Sequence, residues 1–239
     1  MQETAWDREY RENRLVTLGT EPQASVKEFL RWLRKEAKDA NGNSIDIANC
    51  TVLDLGCGTG RNTNYLAGLG ARATGIEISQ TALTLARKHA ISPTTPHVIA
   101  GAEFFHGSIG EPFPFASGHY DLILDVTSSN SLNEAERDIY INESYRVLKP
   151  GGLMFVRALC KDGDINAQTL IKKQPGKEKD TYIMPETGII ERAFSKADFE
   201  ATYSRHFEIL YLDKETHYTK MNNRSYKRNF WIAYLKKRM

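Results

Sequence analysis

The sequence predicts an α/β protein in which a mostly parallel sheet carries helices on both faces. Three observations point there. Val52-Leu53-Asp54-Leu55 is an apolar strand that breaks into Gly56-Cys57-Gly58-Thr59-Gly60, after which Arg61 opens a helical pattern. A second short strand, 71–78, follows one helix later and carries Glu77 at its end. From there to about residue 160 apolar strands alternate with helical stretches, an order that implies right-handed crossovers between parallel strands.

Ahead of that core, residues 1–20 are polar and charged, with Trp6, Tyr10 and Leu15 at roughly helical spacing. A helix is predicted over 23–38, where Val26, Phe29, Leu30 and Leu33 form one apolar stripe with Trp32 beside it, and Pro22 suits the first turn. Asn41-Gly42-Asn43-Ser44 ends it as a loop, so 1–44 reads as an N-terminal helical cap and 45–239 as the main domain. Strands are expected at 51–55, 73–78, 102–106 and 120–126, the last apolar enough for the sheet centre. Helices are expected over 61–69, from the N-cap Ser79 to about His89, and over 134–148. Residues 91–96 read as a proline-bearing loop, and 98–100 compete for part of the third strand.

Lys149-Pro150-Gly151-Gly152 should stop the 134–148 helix and turn into a fifth strand at 153–159. The composition then shifts. Residues 161–188, with Gly163, Pro175 and Gly176 among mixed charges, read as a mobile insertion. Ser195 can cap a helix over 196–203, and 207–212 and 229–235 read as strands joined by a basic loop. Phe230, Ile232 and Tyr234 alternate with Trp231, Ala233 and Leu235, the pattern of a strand buried on both faces.

Strand, glycine loop and helix together open a nucleotide-binding unit, and Glu77 is placed to take both ribose hydroxyls. Asp54 just before the loop repels a pyrophosphate but suits a ligand carrying an ammonium and a sulfonium, which favours S-adenosylmethionine over a dinucleotide. At Leu53-Asp54-Leu55-Gly56-Cys57-Gly58-Thr59-Gly60 the chain resembles the first motif of the class I S-adenosylmethionine-dependent methyltransferases. The resemblance covers roughly 45–239, most closely 52–78 and 146–152, with a further similar passage from Gly107 to Leu124. Trp6-Asp7 with Tyr10, plus Gly60-Arg61-Asn62, is loosely similar to small-molecule methyltransferases of the tellurite-resistance type.

That resemblance implies a Rossmann-like, seven-stranded sheet ending in an antiparallel C-terminal strand pair. It places S-adenosylmethionine against Asp54, Gly56, Cys57, Gly58 and Gly60, then Glu77 and Ile78. Gly107, Ser108 and Ile109 would meet the adenine, Ser108 standing where family members often have an acidic residue; Asp125 and Tyr10 complete the set. Asp125 is the candidate base, or else holds the sulfonium side by charge or only by its backbone. Trp6 and Tyr10 either close over the cofactor or belong to a helix that merely packs on the sheet.

Methyl transfer from a sulfonium demands neither a nucleophilic residue nor a metal, and no metal-ligand spacing is visible. Cys50, Cys57 and Cys160 suggest no disulfide framework and read as packing thiols. The Asp/Asn-Pro-Pro-aromatic and Pro-Cys motifs of base-flipping methyltransferases are missing, which argues against DNA as acceptor. The longest apolar runs are strand-sized, and Met1-Gln2-Glu3-Thr4-Ala5-Trp6 has no signal-like character, so a cytoplasmic protein without membrane spans is expected.

Net charge is +2, but residues 160–239 hold 16 basic and 11 acidic side chains, and the last twenty hold seven cations and no acid. The primary reading is an enzyme methylating N, O or S of a small molecule. RNA or protein methylation through the basic C-terminal surface is the alternative. A non-catalytic cofactor-binding scaffold is the reading from another class. The acceptor and the oligomeric state are not encoded legibly.

Overall fold

The computed structural model describes residues 2–12, 18–38, 42–90, 101–221 and 224–238, with the side chains of 219–221 and 224–226 outside that description. Leu15, the expected 91–96 loop and the competing stretch 98–100 lie outside the described residues.

Two helices precede the sheet: α1 (Glu3–Glu12) and α2 (Ala24–Glu36). The core then alternates β1 (Thr51–Leu55), α3 (Arg61–Gly68), β2 (Arg72–Glu77), α4 (Gln80–His89), β3 (Ala102–His106), β4 (Tyr120–Val126), α5 (Glu134–Val147) and β5 (Leu148–Cys160). Next come α6 (Ile165–Lys173), β6 (Thr181–Ile183), β7 (Ile190–Arg192), α7 (Lys196–Tyr203), β8 (Phe207–Met221) and β9 (Arg224–Lys237). The main sheet runs β3-β2-β1-β4-β5-β9-β8. β1 to β5 are parallel, while β9 pairs antiparallel with both β5 and β8, giving the expected Rossmann-like seven-stranded sheet.

The period of two in these strands sorts their side chains into two cores. Val52, Leu122, Leu124, Phe155, Ile232 and Tyr234 point to one side, where Val26, Phe29 and Leu33 of α2 and Leu66 of α3 cover them. Leu53, Ile123, Met154, Val156, Trp231 and Leu235 point to the other, under Tyr140 and Ile141 of α5 and Phe199 of α7. Phe29 is fully buried, with ring centroids 5.3 Å from Phe155 and 5.0 Å from Tyr234. Cutting it to alanine would cost about 3–5 kcal/mol.

Side-chain caps set the helix starts. Ser79 accepts from Ala82 N, Ser195 from Asp198 N, and Asn133 forms a capping box with Glu136.

Three stretches differ from expectation. Leu148 already pairs with Tyr120, so β5 begins before the glycines and absorbs Gly151 (φ +73°) at a register shift between Tyr120 and Leu122. The 161–188 stretch contains α6 and β6 and buries Ala167, Tyr182 and Met184 in the core facing α2. The basic stretch after residue 212 is strand and not loop: β8 and β9 pair without a break from Leu212↔Ala233 to Met221↔Arg224. β5 leaves β9 at Asn229, so the remainder is a two-stranded ribbon. It has no apolar alternation to announce it, because a ribbon with two open faces buries little.

Candidate active site

The strand order reverses between β1 and β4, and the crevice beyond their carboxyl ends is where open parallel sheets bind ligands. A cavity of about 340 Å³ occupies it. Its floor is the glycine loop and the ends of β2, β3 and β4, represented by Gly56, Cys57, Gly58, Glu77, Ile78, Gly107, Ser108, Ile109 and 126–128. Trp6 and Tyr10 of α1 and Met184, Ile189 and Glu191 around the β6–β7 hairpin enclose it from the other side.

Glu77 is only 5% exposed, and the backbone fixes it at both oxygens: Gly58 N–H donates to Oε2 at 3.0 Å and Ser79 N–H to Oε1 at 2.8 Å. Burial pushes its pKa up, opposed by those N–H donors. An oriented carboxylate on the wall, with lone pairs left over, suits a vicinal diol. Gly58 has φ +55°, and a Cβ there would come within 2.5 Å of the Tyr10 hydroxyl. The space that the sequence assigned to a ligand against bare backbone is thus partly taken by Tyr10. Gly60 serves packing: a Cβ on it would meet Ala86 and Phe104, each at 2.9 Å, and it does not line the cavity.

Ser108 is buried, and its Oγ accepts from Gly110 N at 3.0 Å, so it shapes the turn while keeping its own proton to donate. Cys57 lines the cavity, but burial holds its thiol well above the usual range, which makes it an inert wall.

Two expected site carboxylates stand off the cavity wall. Asp54 lies beneath the glycine loop, 2% exposed, where Thr63 Oγ1 donates to it at 2.7 Å. Desolvation pushes its pKa up to about 7, with Thr63 and Arg61 opposing. Asp125 has no exposed surface, and its partners saturate it. Ser128 N at 3.0 Å, Ser128 Oγ at 2.5 Å and Ser129 N at 3.3 Å all donate to Oδ1, and Tyr140 Oη donates to Oδ2 at 2.7 Å. A carboxylate so committed shapes the loop after β4; it has no free face to offer as the expected base. The correction follows from the pleat, because Asp125 sits in the strand itself and Thr127 and Ser128 turn to the cavity.

The roof is fastened side to side. The Gln2 amide donates to Ser131 O and Ile190 O, each at 2.8 Å, and its carbonyl accepts from Ile190 N at 2.6 Å. Arg8 donates to Thr187 O at 2.8 Å. Asp7 accepts from Ser79 Oγ and Thr81 N, both at 2.9 Å, and so ties α1 to the start of α4. Burial works against the Asp7 carboxylate, yet the donors Thr81, Ser79 and Arg11 prevail and hold its pKa down to about 2. Gln2, Met184, Ile189 and Glu191 were not legible as site residues, since the hairpin has no motif and Gln2 no periodic context. Among the described residues no group of three or more His, Cys, Asp or Glu gathers as a metal-ligand set.

Comparison with known proteins defines the class. Residues 52–152 match the family described as methyltransferase domain. A structure of an S-adenosylmethionine-dependent methyltransferase from Methanosarcina mazei superposes with TM-score 0.69 at 25% identity, covering 80% of this chain and 94% of that one. Residues 52–152 are thus a match to a methyltransferase domain, and the fold around them is shared with an S-adenosylmethionine-dependent methyltransferase. The chain is also similar to the fatty-acid O-methyltransferase of Mycolicibacterium smegmatis, 33% identical over 109 residues, 45% of this chain but only 36% of that relative's length. The 1,6-didemethyltoxoflavin-N1-methyltransferase of Burkholderia thailandensis, solved with S-adenosylhomocysteine, shares the fold (TM-score 0.63, 14% identity, 99% of this chain and 87% of that one).

Proposed function

We propose that this chain transfers a methyl group from S-adenosylmethionine to N, O or S of a small molecule. The observation that carries this reading is the roof: Gln2 joins α1 to β7 and to Ser131 over the end of the cavity lined by 126–128, so an acceptor must fit inside. A polymer would have to part those contacts. The division into a cap over 1–44 and a catalytic domain from 45 belongs to the same proposal.

The residues present fit the cofactor. Glu77 would accept from the ribose hydroxyls, the wall at Ile78 and Gly107–Ile109 would hold the adenine, and the glycine-loop backbone at Gly56 and Gly58 would face the amino-acid end. S-adenosylmethionine supplies an activated methyl on a sulfonium, for which alignment is the main requirement. The Trp6 and Tyr10 rings on the cavity wall would favour that positive charge by about 0.5–2 kcal/mol. Asp125 acts through Ser128 and Ser129, fixing the loop that faces the acceptor.

The test uses tritiated-methyl S-adenosylmethionine with a small-metabolite extract, total RNA and a denatured protein mixture in parallel. Label should move from S-adenosylmethionine into a new acid-soluble product that chromatography separates from the donor. Label confined to acid-precipitable RNA or protein would overturn the small-molecule reading. Absence of S-adenosylhomocysteine binding by titration calorimetry would overturn the activity as a whole.

A further inference from the structure

The acceptor end of the cavity carries charge of one sign. Glu191 and Glu136 line it together with Leu132, Met184, Ile189 and Trp6. Arg61, the cation on the wall among the described residues, belongs to the glycine-loop end and is held there by Gln23 Oε1 at 3.0 Å. Glu191 is the better placed carboxylate, because a chain of donors orients it from behind. Tyr182 and Glu191 are cross-strand partners in the β6–β7 register, which puts both side chains on one face. Arg228 Nη2 donates to Tyr182 Oη at 2.7 Å, and Tyr182 Oη donates to Glu191 Oε2 at 2.8 Å. The guanidinium has no acceptor capacity, so the tyrosine proton must point at Glu191. Oε2 is therefore committed, while Oε1 has no hydrogen-bond partner among the described residues.

Resting on the function proposed above, we infer that the acceptor is a small amine with an apolar body, and that Glu191 takes a proton from its ammonium. The apolar body fits Leu132, Met184, Ile189 and the Trp6 ring. The ammonium pairs with Glu191 and loses one proton to Oε1. The freed nitrogen lone pair then forms the new C–N bond as the C–S bond breaks toward sulfur. The products are the methylated ammonium, S-adenosylhomocysteine and a protonated Glu191, which returns its proton to solvent. Proton removal is required, since an ammonium has no lone pair and would also repel the sulfonium. Tyr182 and Arg228 are positioning residues: they fix which oxygen is free. A carboxylate acceptor is disfavoured, for it would face the like charges of Glu191 and Glu136 on the wall, while Arg228 stands behind Tyr182 and off the cavity lining.

The test separates this inference from the activity itself. Protein saturated with S-adenosylhomocysteine is titrated with phenethylamine, 2-phenylethanol and phenylacetate, one ring with three head groups, and binding is followed by ligand-observed NMR. Phenethylamine should bind about tenfold or more tightly than phenylacetate, the ratio that a modest charge preference produces. Glu191→Gln should bind S-adenosylhomocysteine normally and lose that preference, and Tyr182→Phe should weaken it while raising the pH at which the amine is methylated. Failure to bind S-adenosylhomocysteine at all would count against the proposed function and not against this step. With that binding intact, no saturable phenethylamine binding, equal or tighter phenylacetate binding, or an unchanged preference in Glu191→Gln would overturn the amine assignment.

Discussion

Asp54 offers the sharpest quantitative test, because its environment is simple. It is buried beneath the glycine loop with Thr63 as its hydrogen-bond donor, and burial moves its pKa from 3.8 to about 7. The folded protein then binds the Asp54 proton more tightly than the unfolded chain does. Between those two values the folded state holds more protons, so the stability contributed by this group falls as pH rises through the window and is flat outside it. A shift of about three units corresponds to about 4 kcal/mol between pH 4 and pH 8. Asp54→Asn keeps an oxygen for Thr63 and removes the titration. Its amide NH₂ needs an acceptor, at a cost of about 1–3 kcal/mol, but that cost does not vary with pH. Urea unfolding of both proteins at about pH 4, 6 and 8 gives the difference in stability, from which the other carboxylates cancel. The variant should gain about 4 kcal/mol on wild type across that range. A ligand bearing an ammonium and a sulfonium favours ionised Asp54, so binding at about pH 6.5 should also release a proton, measurable by calorimetry in two buffers of different ionisation enthalpy. A pH-independent difference, with no proton release, would refute the placement of Asp54 in a dry site.

Three further outcomes follow. Glu77→Ala should weaken S-adenosylhomocysteine binding by about 1.5–3 kcal/mol by calorimetry, since it removes a charged acceptor and frees the Gly58 and Ser79 amides; unchanged affinity would remove Glu77 from the site. Gly58→Val should melt at lower temperature and bind ligand poorly, because φ +55° costs a side chain about 1–2 kcal/mol and the new Cβ displaces Tyr10; Tyr10→Phe in that background should recover part of the loss. Asp7, with its pKa held at about 2, contributes its full stabilisation above about pH 4 and loses it as pH falls through 2, so Asp7→Asn at neutral pH should release α1 to proteolysis before the rest of the chain unfolds.

What was legible in the sequence was whatever repeats with a period. β1, β3 and β4 lie at 51–55, 102–106 and 120–126 as expected, because their apolar runs are bounded by turns and have nowhere to slip. Ser79 and Ser195 announce their helices through caps that act locally. The cavity wall was legible where a motif needs specific backbone, at Gly58 and Glu77, both of which line it. It was illegible where tertiary contact decides. Asp125 has the residue type and the strand-end position of a base, and only its four donors, one of them on Tyr140 fifteen residues away, show that it is spent. Glu191 gives the opposite lesson: its meaning comes from Tyr182 across a hairpin and Arg228 across the domain.

The C-terminal cations show how a composition signal dissolves once partners are known. Read as a run, 220–239 has the basic and aromatic mixture of a nucleic-acid surface. In the fold, Phe230, Trp231 and Tyr234 are each 9% exposed or less, and Tyr234 packs against Phe29, Trp32 and Tyr211. Such rings have no face left for a base. Arg228 is turned inward to Tyr182 and stands 3.7 Å from Asp164, and Lys237 donates to Leu148 O. Among the described side chains of the ribbon, Tyr218 is exposed, directly across from Lys227, and one ring with one charge is a single contact where stacking platforms need several in a row. The same strand that brings Arg228 inward delivers it to the tyrosine behind Glu191. That inward-facing charge therefore supports a small acceptor near Glu191 more directly than it supports a polymer on the ribbon.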